Sequence, residues 1–254
     1  MSWPPKIERL RPYVVWECKD IPPDLVMSII KHESGGSPGI AAKVNCKCGP
    51  LPKQDGSEKT VCTALGLMQV IPATVAWYNN QNTGDDIATF EDMLGEDERA
   101  IRIQIRTGCM FLAFANRYLH NKFPETMPET SLANASDDQI KLALSAYLVG
   151  NGATADKMRT AKNKNYLPTF ANIKKLFPTW GQNASGTWIN QPLKYAQEVL
   201  TNYRANRGGS YSGTKPGDLI ARIKTGNKGG IIALALVLAA SGWAINRHYT
   251  RPKD

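Results

Sequence analysis

Apolar residues recur at helical spacings along much of the chain, which predicts a mainly α fold. Between Asp24 and Ser34 the residues Leu25, Val26, Ile29 and Ile30 share one stripe, and Glu33 continues it, four residues past Ile29 and three past Ile30. A first helix is expected over Ile7–Trp16. Another is expected from Pro72 to Asn79, its proline suiting the first turn. From Asp97 to Phe123 the residues Ile101, Ile105, Leu112, Ala115 and Leu119 mark a long helix. Ser136 with Gln139 reads as a capping box ahead of Ile140–Val149, a segment apolar on most sides and therefore central. Gly150 and Gly152 are expected to close it. Pro168–Thr187 reads as loop and turn, and Pro192–Arg207 as the last helix.

Beyond Arg207 the pattern changes. Gly208, Gly209, Gly213, Gly217 and Gly226 interrupt a stretch in which Arg204, Arg207, Lys215, Arg222, Lys224 and Lys228 face Asp218 alone. This reads as a basic tether that anionic headgroups would attract. Gly229–Ile245 is then an uncharged apolar run, flanked by basic residues on both sides and barely long enough to cross ~30 Å of hydrocarbon. It is either a membrane helix or a helix packed on a partner protein. The organisation expected is an N-terminal extension over 1–20, one domain over 21–207, a linker over 208–228, the apolar helix over 229–246 and a basic tail over 247–254.

Charge narrows the partners only partly. The 254-residue chain carries 31 basic against 22 acidic residues, a formal charge of +9, which favours anionic polymers or lipid. No helix-turn-helix or zinc-finger spacing accompanies it, so nucleic acid is not expected as a partner. The N-terminal twenty residues, broken by Pro4, Pro5 and Pro12, lack the apolar core of a secretory signal. The five cysteines are an odd number, leaving at least one thiol free or paired between chains. Cys46, Cys48 and Cys62 suit plain thiols or one disulfide better than zinc, which normally takes four ligands. Cys18 and Cys109 lie in apolar surroundings and read as simply buried. No metal site or cofactor is expected.

The candidate chemistry centres on Glu33. A carboxylate placed where a core residue belongs loses water, which favours its neutral form and suits a proton donor near neutral pH. The bland alternative is a helix-terminal charge turned outward. Ala64-Leu65-Gly66-Leu67-Met68-Gln69, followed by Val70, Ile71, Pro72, Ala73 and Thr74, shifts the balance. Together with Glu33-Ser34, with Ala146-Tyr147 inside Ala143–Gly152, and with Tyr195 inside Gln191–Tyr203, it resembles the lytic transglycosylase family. The resemblance spans about Pro22 to Tyr203.

That resemblance implies an α+β lysozyme-like fold of the goose type. It also implies a peptidoglycan-cleaving enzyme with Glu33 as catalytic acid. Ser34, Gly66, Met68, Gln69, Tyr147 and Tyr195 would contact substrate. Tyr147, by position alone, suits core packing better than a sugar groove. Two departures stand out. Leu148 occupies the place of the family's asparagine, with Asn151 nearby but shifted. Gly39–Thr63 is longer than usual and reads as a loop or hairpin inserted beside the groove. Three function classes follow: a virion-carried enzyme opening the wall for phage genome entry, a cell-encoded transglycosylase of a secretion or conjugation machine, and an inactive structural virion protein. The first is preferred. It would be membrane-associated through the C-terminal segment, act in the host periplasm or wall, and have peptidoglycan and either membrane or virion proteins as partners.

Overall fold

The computed structural model describes residues 3–43, 51–52, 58–59, 63–180 and 190–207. These belong to one compact unit, Met1–Arg207. The tether and the apolar run expected after Arg207 lie outside the described residues, as do Cys46, Cys48 and Cys62. Among the described residues no helix is long and apolar enough to cross a membrane. Nor does any cluster of three or more His, Cys, Asp or Glu side chains among them suit a metal ion.

The chain runs α1 (Pro5–Glu8), α2 (Arg11–Glu17), α3 (Pro23–Ser34), β1 (Ala41–Lys43), β2 (Leu51–Pro52), β3 (Glu58–Lys59), β4 (Thr63–Leu65), α4 (Pro72–Asn79), α5 (Phe90–Leu94), α6 (Glu98–Lys122), α7 (Asp137–Val149), α8 (Asn151–Asn163), α9 (Phe170–Leu176) and α10 (Gln191–Asn206). The mainly helical architecture agrees with the fold expected; α3, α4, α6 and α10 fall within one residue of their expected bounds, and α7 begins three residues before Ile140. At the centre lies α7, packed by α6, α8, α9 and α10, while α3 packs against α10 and α2 against α6. The long Gly39–Thr63 stretch turns back on itself: β1 pairs antiparallel with β4, and β2 with β3.

Several local expectations need correction. The helix expected over Ile7–Trp16 is two, because Pro12 starts a new first turn in α2. Gly150 does end α7, but α8 begins at the next residue, so Gly152 lies in a helix. The Pro168–Thr187 loop contains α9, whose first turn is capped by the Thr169 hydroxyl accepting from the Asn172 N–H. Only half of the expected capping box forms. Ser136 accepts from the Gln139 N–H, but the fully buried Gln139 side chain donates instead to Asn116 Oδ1 and the Glu129 carbonyl. Burial makes those partners obligatory.

The N-terminal residues enter the same core, through Trp3, Ile7, Leu10, Val14, Cys18 and Ile21. Cys18 and Cys109, expected to be separate buried thiols, form a disulfide that ties the end of α2 to the middle of α6. Beside it, Glu17 accepts from both Arg102 and Arg106 at 2.7 Å. Packing of α2 on α6 brings together cysteines that are remote in sequence.

Candidate active site

Glu33 stands where the stripe of α3 places it. Leu25, Val26, Ile29 and Ile30 are fully buried, and the stripe ends at the half-buried glutamate. The helix stops at Gly35, whose backbone turns left-handed and whose N–H bonds to the Lys31 carbonyl. At Gly36 a Cβ would lie 2.6 Å from Ile7 Cδ1, so the chain can leave the helix end against α1 only through glycine. Ser34 is committed locally: its hydroxyl donates to the Ile30 carbonyl at 3.0 Å and accepts from the Gly36 N–H at 3.2 Å.

Burial pushes the Glu33 carboxyl above the usual carboxylate range, and the nearby Tyr195 hydroxyl and His32 pull it only partly back. Two tyrosines face this carboxyl. Tyr147, near the end of α7, and Tyr195, on α10, are both buried. Burial raises their pKa values well above the ordinary tyrosine value, and the Glu33 charge adds to the shift. Their hydroxyls differ. Tyr147 donates to the Met68 carbonyl at 2.6 Å. The Tyr195 hydroxyl lies close enough to act on Glu33 protonation, yet it has no partner in hydrogen-bonding geometry. His32 holds the Tyr195 ring edge-on at 4.8 Å and bonds Glu198 at 3.1 Å.

The second segment forms a tight loop between bridged Leu65 and Val70. Gln69 takes a left-handed conformation, and its Nε2 donates to the carbonyls of Gly66 at 2.8 Å and Ile40 at 3.1 Å. Gly66, with φ of +71°, leaves room for Gln104: a Cβ there would sit 2.7 Å from Gln104 Oε1. Gln104 is fully buried. Its Oε1 accepts from the Leu67 N–H, and its Nε2 donates to the carbonyls of Asp92 and Gly95. It positions the loop, and its isolated amide among apolar neighbours on α6 was the signal sequence reasoning passed over. Met68 requires a correction. Its side chain is fully buried against Gly108 of α6, so it packs core, and only its carbonyl serves the site, through Tyr147.

Among the described residues, the charge acting on Glu33 is that of His32 and not of a second carboxylate. Asp86 pairs with Arg106, and the Asp85 carbonyl accepts from Arg99. The site thus combines one carboxyl shifted toward its neutral form, one free phenol and one phenol fixed to a loop. This set can give and take a single proton beside a polar substrate.

The Transglycosylase SLT domain family matches residues 16–170. The chain belongs to that family. No curated protein matches it significantly. The SLT match takes in Glu33, the Gly66–Gln69 loop and Tyr147, and ends before α10, so Tyr195 comes from outside it. SLT membership points to peptidoglycan as substrate and to lytic transglycosylase chemistry in general.

Proposed function

We propose that the protein cleaves the β-1,4 bond between N-acetylmuramic acid and N-acetylglucosamine in peptidoglycan, with Glu33 as its single acid and base. The observation that supports this most is the Glu33 pKa raised by burial, with no other carboxylate among the groups that shift it. A two-carboxylate glycosidase would need one across the sugar. In the single-acid route the Glu33 proton passes to the glycosidic oxygen as the bond to C1 breaks. The substrate's own N-acetyl oxygen bonds to C1. The Glu33 carboxylate then takes the proton of the muramoyl 6-hydroxyl, whose oxygen displaces the acetamido oxygen and leaves a 1,6-anhydro end. Water in place of that hydroxyl would give the hydrolytic product. Tyr195 supplies a free O–H to the sugar or to the newly charged Glu33, and Tyr147 and Gln69 keep the facing loop in place.

Zymography on purified peptidoglycan with Glu33→Gln tests the assignment. The amide keeps the shape but carries no proton, so clearing should fall by about a hundredfold or more; clearing at the wild-type rate refutes it. Mass spectrometry of the products distinguishes the anhydro from the hydrolytic end. Carriage in a phage particle, opening the wall locally for genome entry, is the narrower form of this proposal. It is supported by the basic stretch and apolar run after Arg207, and immunodetection in purified particles tests it.

A further inference from the structure

The proposed site accounts for one side of Tyr147. On the other, Tyr147 meets Phe111 of α6 at 5.8 Å between ring centroids, and from Phe111 the aromatics continue. Trp77 on α4 lies 5.8 Å from Phe111 and 4.9 Å from Phe114, and Tyr118 lies 6.2 Å beyond Phe114. Phe111, Phe114 and Tyr118 follow one helical stripe of α6, about 10 Å long at the rise of an α-helix. The adjoining stripe of the same helix, with Ile105, Cys109, Leu112, Ala115 and Leu119, fills the core. The aromatic stripe stays half-buried. Trp77, Phe111 and Tyr118 each pack one side on that core and leave the rest partly exposed.

We propose that Trp77, Phe111, Phe114 and Tyr118 form a track on which sugar rings of the glycan strand stack beyond the cut bond. This rests on the proposed function for its ligand. A pyranose presents a face of polarised C–H groups, which suits the negative face of an aromatic ring, and half-open rings offer that face without unpaired polar groups. The track joins the candidate site through Tyr147, so a strand held there passes the reacting carboxyl. Lys122 lies over the Tyr118 ring at 5.0 Å, and Arg117 is exposed on the same helix. Both cations suit the carboxylates of the strand's peptide stems.

Co-sedimentation of the full chain with purified peptidoglycan, in the Glu33→Gln background so that strands stay intact, reads the track directly. Repeating it with strands stripped of peptides isolates the sugars. Trp77→Ala and Phe114→Ala should each weaken binding about tenfold, whereas Trp77→Phe and Phe114→Tyr, which keep an aromatic face, should restore it to within about twofold. With Glu33 intact, the alanine variants should lose turnover of long strands mainly through a raised KM, with kcat falling less. Folded alanine variants with undiminished strand binding overturn the track, as does loss of lipid-vesicle binding in its place. Zymography of Glu33→Gln reports separately. Full clearing there with weakened strand binding in the track variants refutes the acid and keeps the track, and the converse does the reverse. A chain that binds no peptidoglycan refutes both.

Discussion

Two glutamates close neighbouring helices, Glu17 at the last position of α2 and Glu33 one residue before the end of α3. Each sits at the unfavourable end of its helix dipole. The Glu17 side chain is only 4% exposed, and both its oxygens accept from guanidinium groups, those of Arg102 and Arg106. Around Glu33 there are phenols, one imidazole and apolar carbons, and its carboxyl is pushed toward the neutral form. Burial is shared, and the presence of a fixed cation pair decides which glutamate holds the fold and which can move a proton. A family motif marks Glu33, but the physical distinction is that it has one imidazole nearby in place of two bonded guanidinium groups.

The comparison breaks most visibly at Glu33→Gln, where activity should fall at least about a hundredfold while the fold persists. The same variant sharpens it through pH. A carboxyl with a raised folded pKa binds its proton longer in the native state than in the unfolded one. Wild-type stability should therefore decline as pH rises from the ordinary carboxylate range through the folded Glu33 pKa. Glu33→Gln should lack that decline, and urea melts across this range, each referenced to the wild type, will show it or not. Activity should be lost over the same rise, and a rate unchanged to pH 9 contradicts the desolvation argument.

Next in size is the disulfide beside Glu17. Cys18→Ser with Cys109→Ser, or reduction of the native protein, should cost about 3 kcal/mol by denaturant titration. Unchanged stability would mean that the two sulfurs are not bonded. Glu17→Gln should cost about 2 kcal/mol, less than a fully buried pair because Arg102 and Arg106 are partly exposed. Activity per folded molecule should stay near wild type, the reverse of the Glu33 result. Smallest is Tyr195→Phe. Removing a buried hydroxyl that has no partner should leave stability unchanged or slightly raised, while kcat/KM falls about tenfold for one lost hydrogen bond. A loss of stability with no loss of rate would make Tyr195 a core residue only.

Local periodicity made α3, α6, α7 and α10 legible, because a buried helix face repeats every three to four residues whatever it packs against. It missed α8 and α9 for opposite reasons. α8 starts directly after a glycine that looked like an end, and α9 is short and sits among turn-forming residues. Met68 misled because a motif residue can act through its backbone carbonyl while its side chain fills a gap on Gly108.

The chain alone determined that a carboxylate sits on an apolar stripe, that a glycine-bounded loop follows it and that the domain is helical, since each depends on neighbours within a few positions. Only the tertiary structure decided that Tyr147 and Tyr195 face Glu33, that Cys18 bonds Cys109 across 91 residues, and that Glu17 is paired while Glu33 is not. Those relations depend on how helices pack. One pattern of apolar stripes is compatible with many pairings, and charge compensation is settled only when side chains from distant segments meet.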